Sequence, residues 1–249
     1  MPTANTSSEP VERRYEWLYG DELETLIRER PVAWVPLGVV EEHGSHLPWG
    51  LDALKAHAVC LRLASTLGGV VLPACHFAGI HGDPKPGREG EWLQDAAAAG
   101  DMLYTRSTFK ALLRETFDGL ANLGFRVVVA YTGHYPTVQT TALAAVADEC
   151  STDRATMLAF WEPLACGGGG DHGGKWETSI FMAVRPAGAR LYAVSDPRTG
   201  EDGHYRGQRV RETSSVALGE WALGRIEEYL AAAVSKALSA HGSDHDQDS

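Results

Sequence analysis

The chain has 249 residues, 44% of them hydrophobic and 22% charged, proportions of a globular protein with a sizeable core. Its 22 basic and 33 acidic residues leave a formal charge of −11, which disfavours nucleic acid and anionic membranes as partners. The four cysteines are scattered without a C-x-x-C pair, so neither a zinc knuckle nor a redox motif is expected, and a reducing compartment fits.

Residues 1–14 are polar and read as a loose arm without a signal peptide or anchor, and a cytoplasmic location is expected. VAWVPLG (32–38) is a continuous apolar run of the kind found in strands covered on both faces. A helix follows near 52–67, then a second strand, GVVLPA (69–74). Over 102–123, Leu103, Phe109, Leu112, Leu113, Thr116, Phe117 and Leu120 form one helical stripe. RVVVAYT (126–132) and ATMLAFW (155–161) give two further strands, with helices over 137–150, 175–184 and 213–239. The polar residues 241–249 read as a flexible tail. No stretch approaches the ~20 apolar residues of a membrane helix. Alternating strands and helices predict an α/β fold: one domain over 15–240, a three-layer α/β/α sandwich with a mostly parallel central sheet. Ligands bind such sheets beyond the carboxyl ends of the strands, so the chemistry is sought there.

Three segments answer to that rule. The first runs from Gly38 to Asp52, directly after the first strand. Glu41 and His43 are two residues apart and project from one face while the chain stays extended. A carboxylate and an imidazole side by side suit zinc, manganese or iron. Asp52, at the start of the next helix, has two oxygens with which to bridge two cations. Glu42 reads as a solvated or locally hydrogen-bonded residue. The second segment, Gly133-His134, ends the third strand; alone it is equally compatible with a structural histidine. The third, Gly167 to Ser179, places His172 before a helix and Glu177 in its first turn, both directed at the same pocket. Gly169-x-x-x-x-Gly174-Lys175 mimics a phosphate-binding loop, but Trp176 stands where a magnesium-binding Ser or Thr is required. Neither a G-x-S-x-G elbow nor an H-E-x-x-H helix is present.

Together, Glu41-x-His43-Gly44-x-His46-Leu47-Pro48-x-x-x-Asp52, Gly133-His134 and His172-Gly173-Gly174-x-x-Glu177-Thr178-Ser179 resemble the creatininase (creatinine amidohydrolase) family over roughly residues 30–185. The resemblance implies two divalent cations per chain, with Glu41 and His134 on one, His43 on the other and Asp52 between them. It implies His172 as the proton-transferring histidine and Glu177 as a further ligand or a close catalytic neighbour. Tyr135 and Trp161 match pocket-lining aromatic positions, and His81 and Asp171 are further candidates for substrate binding. A homo-oligomer, perhaps a hexamer in this family, and a small-molecule substrate are implied as well. The expected reaction is hydrolysis of a C–N bond in a small amide, lactam or formamide. An isomerase or lyase on a small carbonyl compound, or a non-catalytic metal-binding protein, are the alternatives.

Two positions depart from creatininase itself. Pro136 replaces a glutamate ligand two residues after His134, so either Glu177 completes the second cation site or that cation is weakly held or absent. The segment His76 to Gly90 is more charged than the family's glycine-rich, aromatic one, which argues against creatinine as the substrate.

Overall fold

The structure is a computed structural model and describes residues 11–80, 100–167 and 171–242. His81 and the part of the segment His76 to Gly90 from His81 onward therefore lie outside the described residues, as do most of the glycine run and both chain ends. Four strands form a parallel sheet: β1 (Val32–Leu37), β2 (Val70–Val71), β3 (Val127–Thr132) and β4 (Thr156–Phe160). Their order is β2-β1-β3-β4. The central pair β1 and β3 is in register from Val32↔Val127 to Leu37↔Thr132, so both strands end level.

Every residue of β1 and β3 is buried, and alternate side chains enter opposite layers. Ala33, Val35, Leu37, Val128 and Ala130 face helices α1 (Gly20–Glu29), α3 (Arg106–Asn122) and α4 (Thr137–Cys150). Val32, Trp34, Val127, Val129 and Tyr131 face α2 (Leu51–Leu67), α6 (Lys175–Val184) and α8 (Val216–His241). Two short α-helices, α5 (Pro163–Cys166) and α7 (Val210–Thr213), and two 3-10 turns, Tyr15–Trp17 and Leu191–Ala193, complete the described set. The three-layer sandwich read from the sequence is thus the fold observed. Each fully buried Val, Leu or Phe contributes roughly 1.5–3 kcal/mol to holding the layers together.

Several boundaries differ for local reasons. Helix α3 starts at Arg106, not at 102, because the Thr105 side chain accepts the Thr108 amide hydrogen and caps it. Met102 instead pairs with Val40, its N–H 2.9 Å from the Val40 carbonyl, beside the loop after β1. Ser215 caps α8 in the same way, so that helix begins at Val216. Of the run 69–74, Val70 and Val71 alone pair with β1. Helix α1 was not among the expected elements; its Leu23, Leu26 and Ile27 repeat is short but packs on the first core layer. Next to it, Arg13 accepts the Val71 amide hydrogen at 2.7 Å, which ties the described end of the N-terminal arm to the sheet edge.

Candidate metal centre

Strands β1 and β3 end level, and the segments that follow them meet the first turn of α2. Two glycines allow this. A Cβ on Gly38 would stand 2.2 Å from the Ala53 nitrogen, and one on Gly133 would stand 2.2 Å from the Asp52 carbonyl oxygen. The backbone of α2 therefore rests directly on the ends of both strands and delivers Asp52 between them. Gly133→Ala is expected to push this turn away, destabilising the fold by about 1–3 kcal/mol and weakening any cation bound there. Denaturant unfolding checks this, and an unchanged midpoint would contradict the close-packing account.

Glu41, His43, Asp52, His134 and Glu177, drawn from three separate segments, converge with all five side chains almost wholly buried. The ligand atoms of Glu41, Asp52 and His134 all lie within 4.8 Å of one another, and so do those of His43, Asp52 and Glu177. Asp52 belongs to both groups. A third group, Glu41, His43 and His172, is equally tight. His43 Nε2 is 3.1 Å from Asp52 Oδ1, and His134 Nδ1 is 2.8 Å from Glu41 Oε1 and 3.3 Å from Asp52 Oδ2.

The histidine orientations follow one rule. His43 Nδ1 is 3.0 Å from the Glu41 carbonyl, His134 Nε2 3.4 Å from the Ile80 carbonyl, and His172 Nε2 2.5 Å from the Glu42 carbonyl. A carbonyl can only accept, so each of these nitrogens carries the hydrogen. The opposite nitrogen of each ring faces the carboxylates, and on losing its proton it would offer its lone pair to a cation held there, the tautomer that metal-binding histidines adopt. His43 Nε2 and Asp52 Oδ2 are buried without a hydrogen-bond partner, although other polar atoms lie close by. Imidazoles and carboxylates packed this tightly are a donor set that fits a divalent cation, which would take the place of the ring protons.

The electrostatics agree. Burial alone would lower the His43 and His134 pKa values, but Asp52, Glu41 and Glu177 outweigh it and raise them to about 9 and about 10. Without cations both rings are therefore protonated at neutral pH. Their pKa values exceed the ordinary 6.5, so their contribution to stability is complete below about pH 6.5 and is lost as pH rises through 9 to 10. The cation-free protein should melt progressively lower across that window, and cation uptake should release protons and strengthen with pH. Melting curves at pH 6.5 and 10, with and without chelator, check this; a pH-independent melting temperature for the chelated protein would contradict it.

A cavity of about 410 Å³ opens above the cluster. Tyr135 and Trp161 line it, together with Pro136, Thr137 and Pro163. His172 sits at its mouth, stacked on His43 with ring centroids 4.4 Å apart. Burial and the neighbouring His43 lower the pKa of His172, which keeps it neutral. Asp171 does not line the cavity: its carboxylate accepts the amide hydrogens of Trp176 and Glu177 in the first turn of α6. Burial and the nearby Glu177 raise its pKa to about 7. His46 is buried but stands outside the convergent groups, with Nε2 3.0 Å from the Gly173 carbonyl, where it joins the first and third motif loops. Glu42 accepts the Gly44 amide hydrogen and the Tyr205 hydroxyl.

Two residues beside the cluster were missed by sequence reasoning. Lys55 and Glu162 are both buried, 2.9 Å apart, and Lys55 also contacts Glu177 at 2.8 Å. Glu162 follows Trp161 at the end of β4, where the strand-end rule would have found it. Lys55 lies three residues after Asp52 on α2, on the same helix face, amid otherwise apolar neighbours.

A relative from Pseudomonas putida, described as creatinine amidohydrolase, is 26% identical over 189 residues, covering 66% of this chain and 68% of that one. A mycofactocin precursor peptide peptidase from Mycobacterium tuberculosis is 28% identical over 171 residues, covering 64% of this chain and 61% of the peptidase. Among solved structures, a creatinine amidohydrolase (creatininase) superposes with a TM-score of 0.67 at 22% identity, over 90% of this chain and 97% of that one. Two more, described as a Mn creatininase and a Zn–Zn creatininase mutant, give TM-scores of 0.66 at 21% identity, over 90% and 92% of this chain and 98% of each. The family model described as Creatininase: Creatinine amidohydrolase matches residues 17–239, and the chain belongs to that family.

Proposed function

We propose that this protein is a metal-dependent amidohydrolase that adds water across a C–N bond in a small amide, lactam or formamide. The observation that carries the reading is the shared orientation of His43, His134 and His172. Each is anchored through one nitrogen to a backbone carbonyl and aims the other at buried carboxylates. Glu41, Asp52 and His134 would hold one divalent cation and His43, Asp52 and Glu177 a second, with zinc, manganese or iron fitting the mixed N/O donors. Glu177 thereby supplies the carboxylate that Pro136 cannot. Cations bound there would acidify a water and polarise the substrate carbonyl.

The protein's own groups then do the following. His172, with Nε2–H fixed on the Glu42 carbonyl, has its Nδ1 lone pair 3.5 Å from Glu41 Oε1, facing the cluster. It accepts the proton of the attacking water as the new C–O bond forms, and returns it to the leaving nitrogen as the C–N bond breaks. Tyr135 and Trp161 wall the cavity and exclude bulk water. A volume of about 410 Å³ admits a small molecule or one short side chain. Exposed aromatics such as Trp17, Tyr19 and Tyr192 support a homo-oligomer, which sedimentation would check.

The test is a screen of small cyclic amides, lactams and formamides with the zinc- or manganese-loaded protein. A product heavier than substrate by one water supports the reading. A product of unchanged mass would replace hydrolysis with isomerisation.

A further inference from the structure

Neither the ligand set nor the proton transfer uses Lys55, yet it is fully buried one turn after Asp52 on α2. Its ammonium lies 2.8 Å from Glu177 Oε1, 2.9 Å from Glu162 Oε1 and 3.5 Å from the Gly133 carbonyl, and 5.1 Å from the centre of the Tyr135 ring. Glu162 also accepts the Tyr131 hydroxyl at 2.8 Å, so its own position is fixed from beneath the sheet's end. An unpaired buried ammonium would cost several kcal/mol in desolvation, and the two carboxylates offset that. The result is a permanent positive charge built against the cluster.

Its placement is uneven with respect to the two cation positions. Glu177 is the carboxylate of the His43, Asp52 and Glu177 group that is absent from the Glu41, Asp52 and His134 group. Lys55 occupies Glu177 Oε1, while Oε2 accepts the Gly173 amide hydrogen at 2.7 Å and stands 3.8 Å from His43 Nε2. One oxygen of Glu177, already hydrogen-bonded, is what a cation at that position would meet, with an ammonium just behind it.

We propose that Lys55 is a positioning residue that makes the His43, Asp52 and Glu177 position the weaker of two cation sites. It restricts Glu177 to one available oxygen and opposes the second divalent charge through like-charge repulsion. The Glu41, Asp52 and His134 site keeps its cation, and the second loads only when free metal is plentiful. This rests on the two-cation reading given above.

The experiment is a chelator-competition titration of Zn²⁺ into the wild-type protein, Lys55→Met and the double variant Lys55→Met/Glu162→Gln. The double variant removes both members of the buried pair and so keeps the pocket electrically balanced should the single one misfold. Wild type should bind two cations with the second at least about tenfold weaker. Both variants should narrow the ratio of the two dissociation constants by at least about tenfold, through tighter second binding and a nearly unchanged first. A merely structural lysine would weaken both sites together, and that outcome overturns the proposal. Equal affinities in wild type, or a ratio unmoved in the variants, overturn it too while leaving two-cation binding intact. No cation in wild type would remove both readings.

Discussion

Asp52→Asn should abolish both cation positions at once. Asp52 is the one carboxylate shared by the two groups, with Oδ1 beside His43 and Oδ2 beside His134. Asparagine preserves the size and the helix-start position but removes the charge and one lone-pair-bearing oxygen. The lost affinity should exceed the roughly 10–100-fold that follows changes one step removed from a ligand. Turnover should fall by at least about 10³-fold, the upper end of what one lost electrostatic group costs. Metal analysis of the purified variant beside wild type, with circular dichroism to show that the fold persists, decides the matter. Two cations per chain in the variant would mean that Asp52 is not the bridge.

His172→Ala should separate chemistry from metal binding. His172 is the one histidine of the three at the cavity mouth with a partly exposed side chain, and neither proposed cation site includes it. Cation content should therefore stay at the wild-type level while kcat falls by about 10²- to 10⁴-fold, the range for lost proton transfer. Burial and His43 lower the pKa of His172, so the acidic limb of the wild-type rate profile should lie below the ordinary 6.5 and vanish in the variant. Unchanged turnover with intact metal would remove His172 from the mechanism.

Much of the fold was legible because the signals are local. Strands β1 and β3 are unbroken, β-branched-rich apolar runs too short for a helix, and a sheet covered on both faces buries every residue of such a run. The stripe of Phe109, Leu113, Phe117 and Leu120 marked α3 by its period alone. Start points were less legible because capping decides them: Thr105 and Ser215 end the preceding loops through single side-chain hydrogen bonds. The site shows the same division. Glu41, His43 and Asp52 stand in one short segment, and the resemblance joined them to His134, His172 and Glu177. Which carboxylate served which position depended on distances across segments, and those are properties of the packed chain. Lys55 was hidden for a different reason. A lysine in an apolar helix reads as a solvated exception, and its burial is explained only by Glu162 and Glu177, more than a hundred residues away. Asp171 next to His172 looked like pocket chemistry, whereas it holds the first turn of α6.

Hydrolysis at this site requires cations in the space between the three histidines and the carboxylates. Anomalous diffraction from a crystal grown with zinc or manganese measures that directly. The account predicts one peak among Glu41, Asp52 and His134 and a second, of lower occupancy at limiting metal, among His43, Asp52 and Glu177. A map with no peak inside that cluster, or with these side chains turned away from one another, would contradict it.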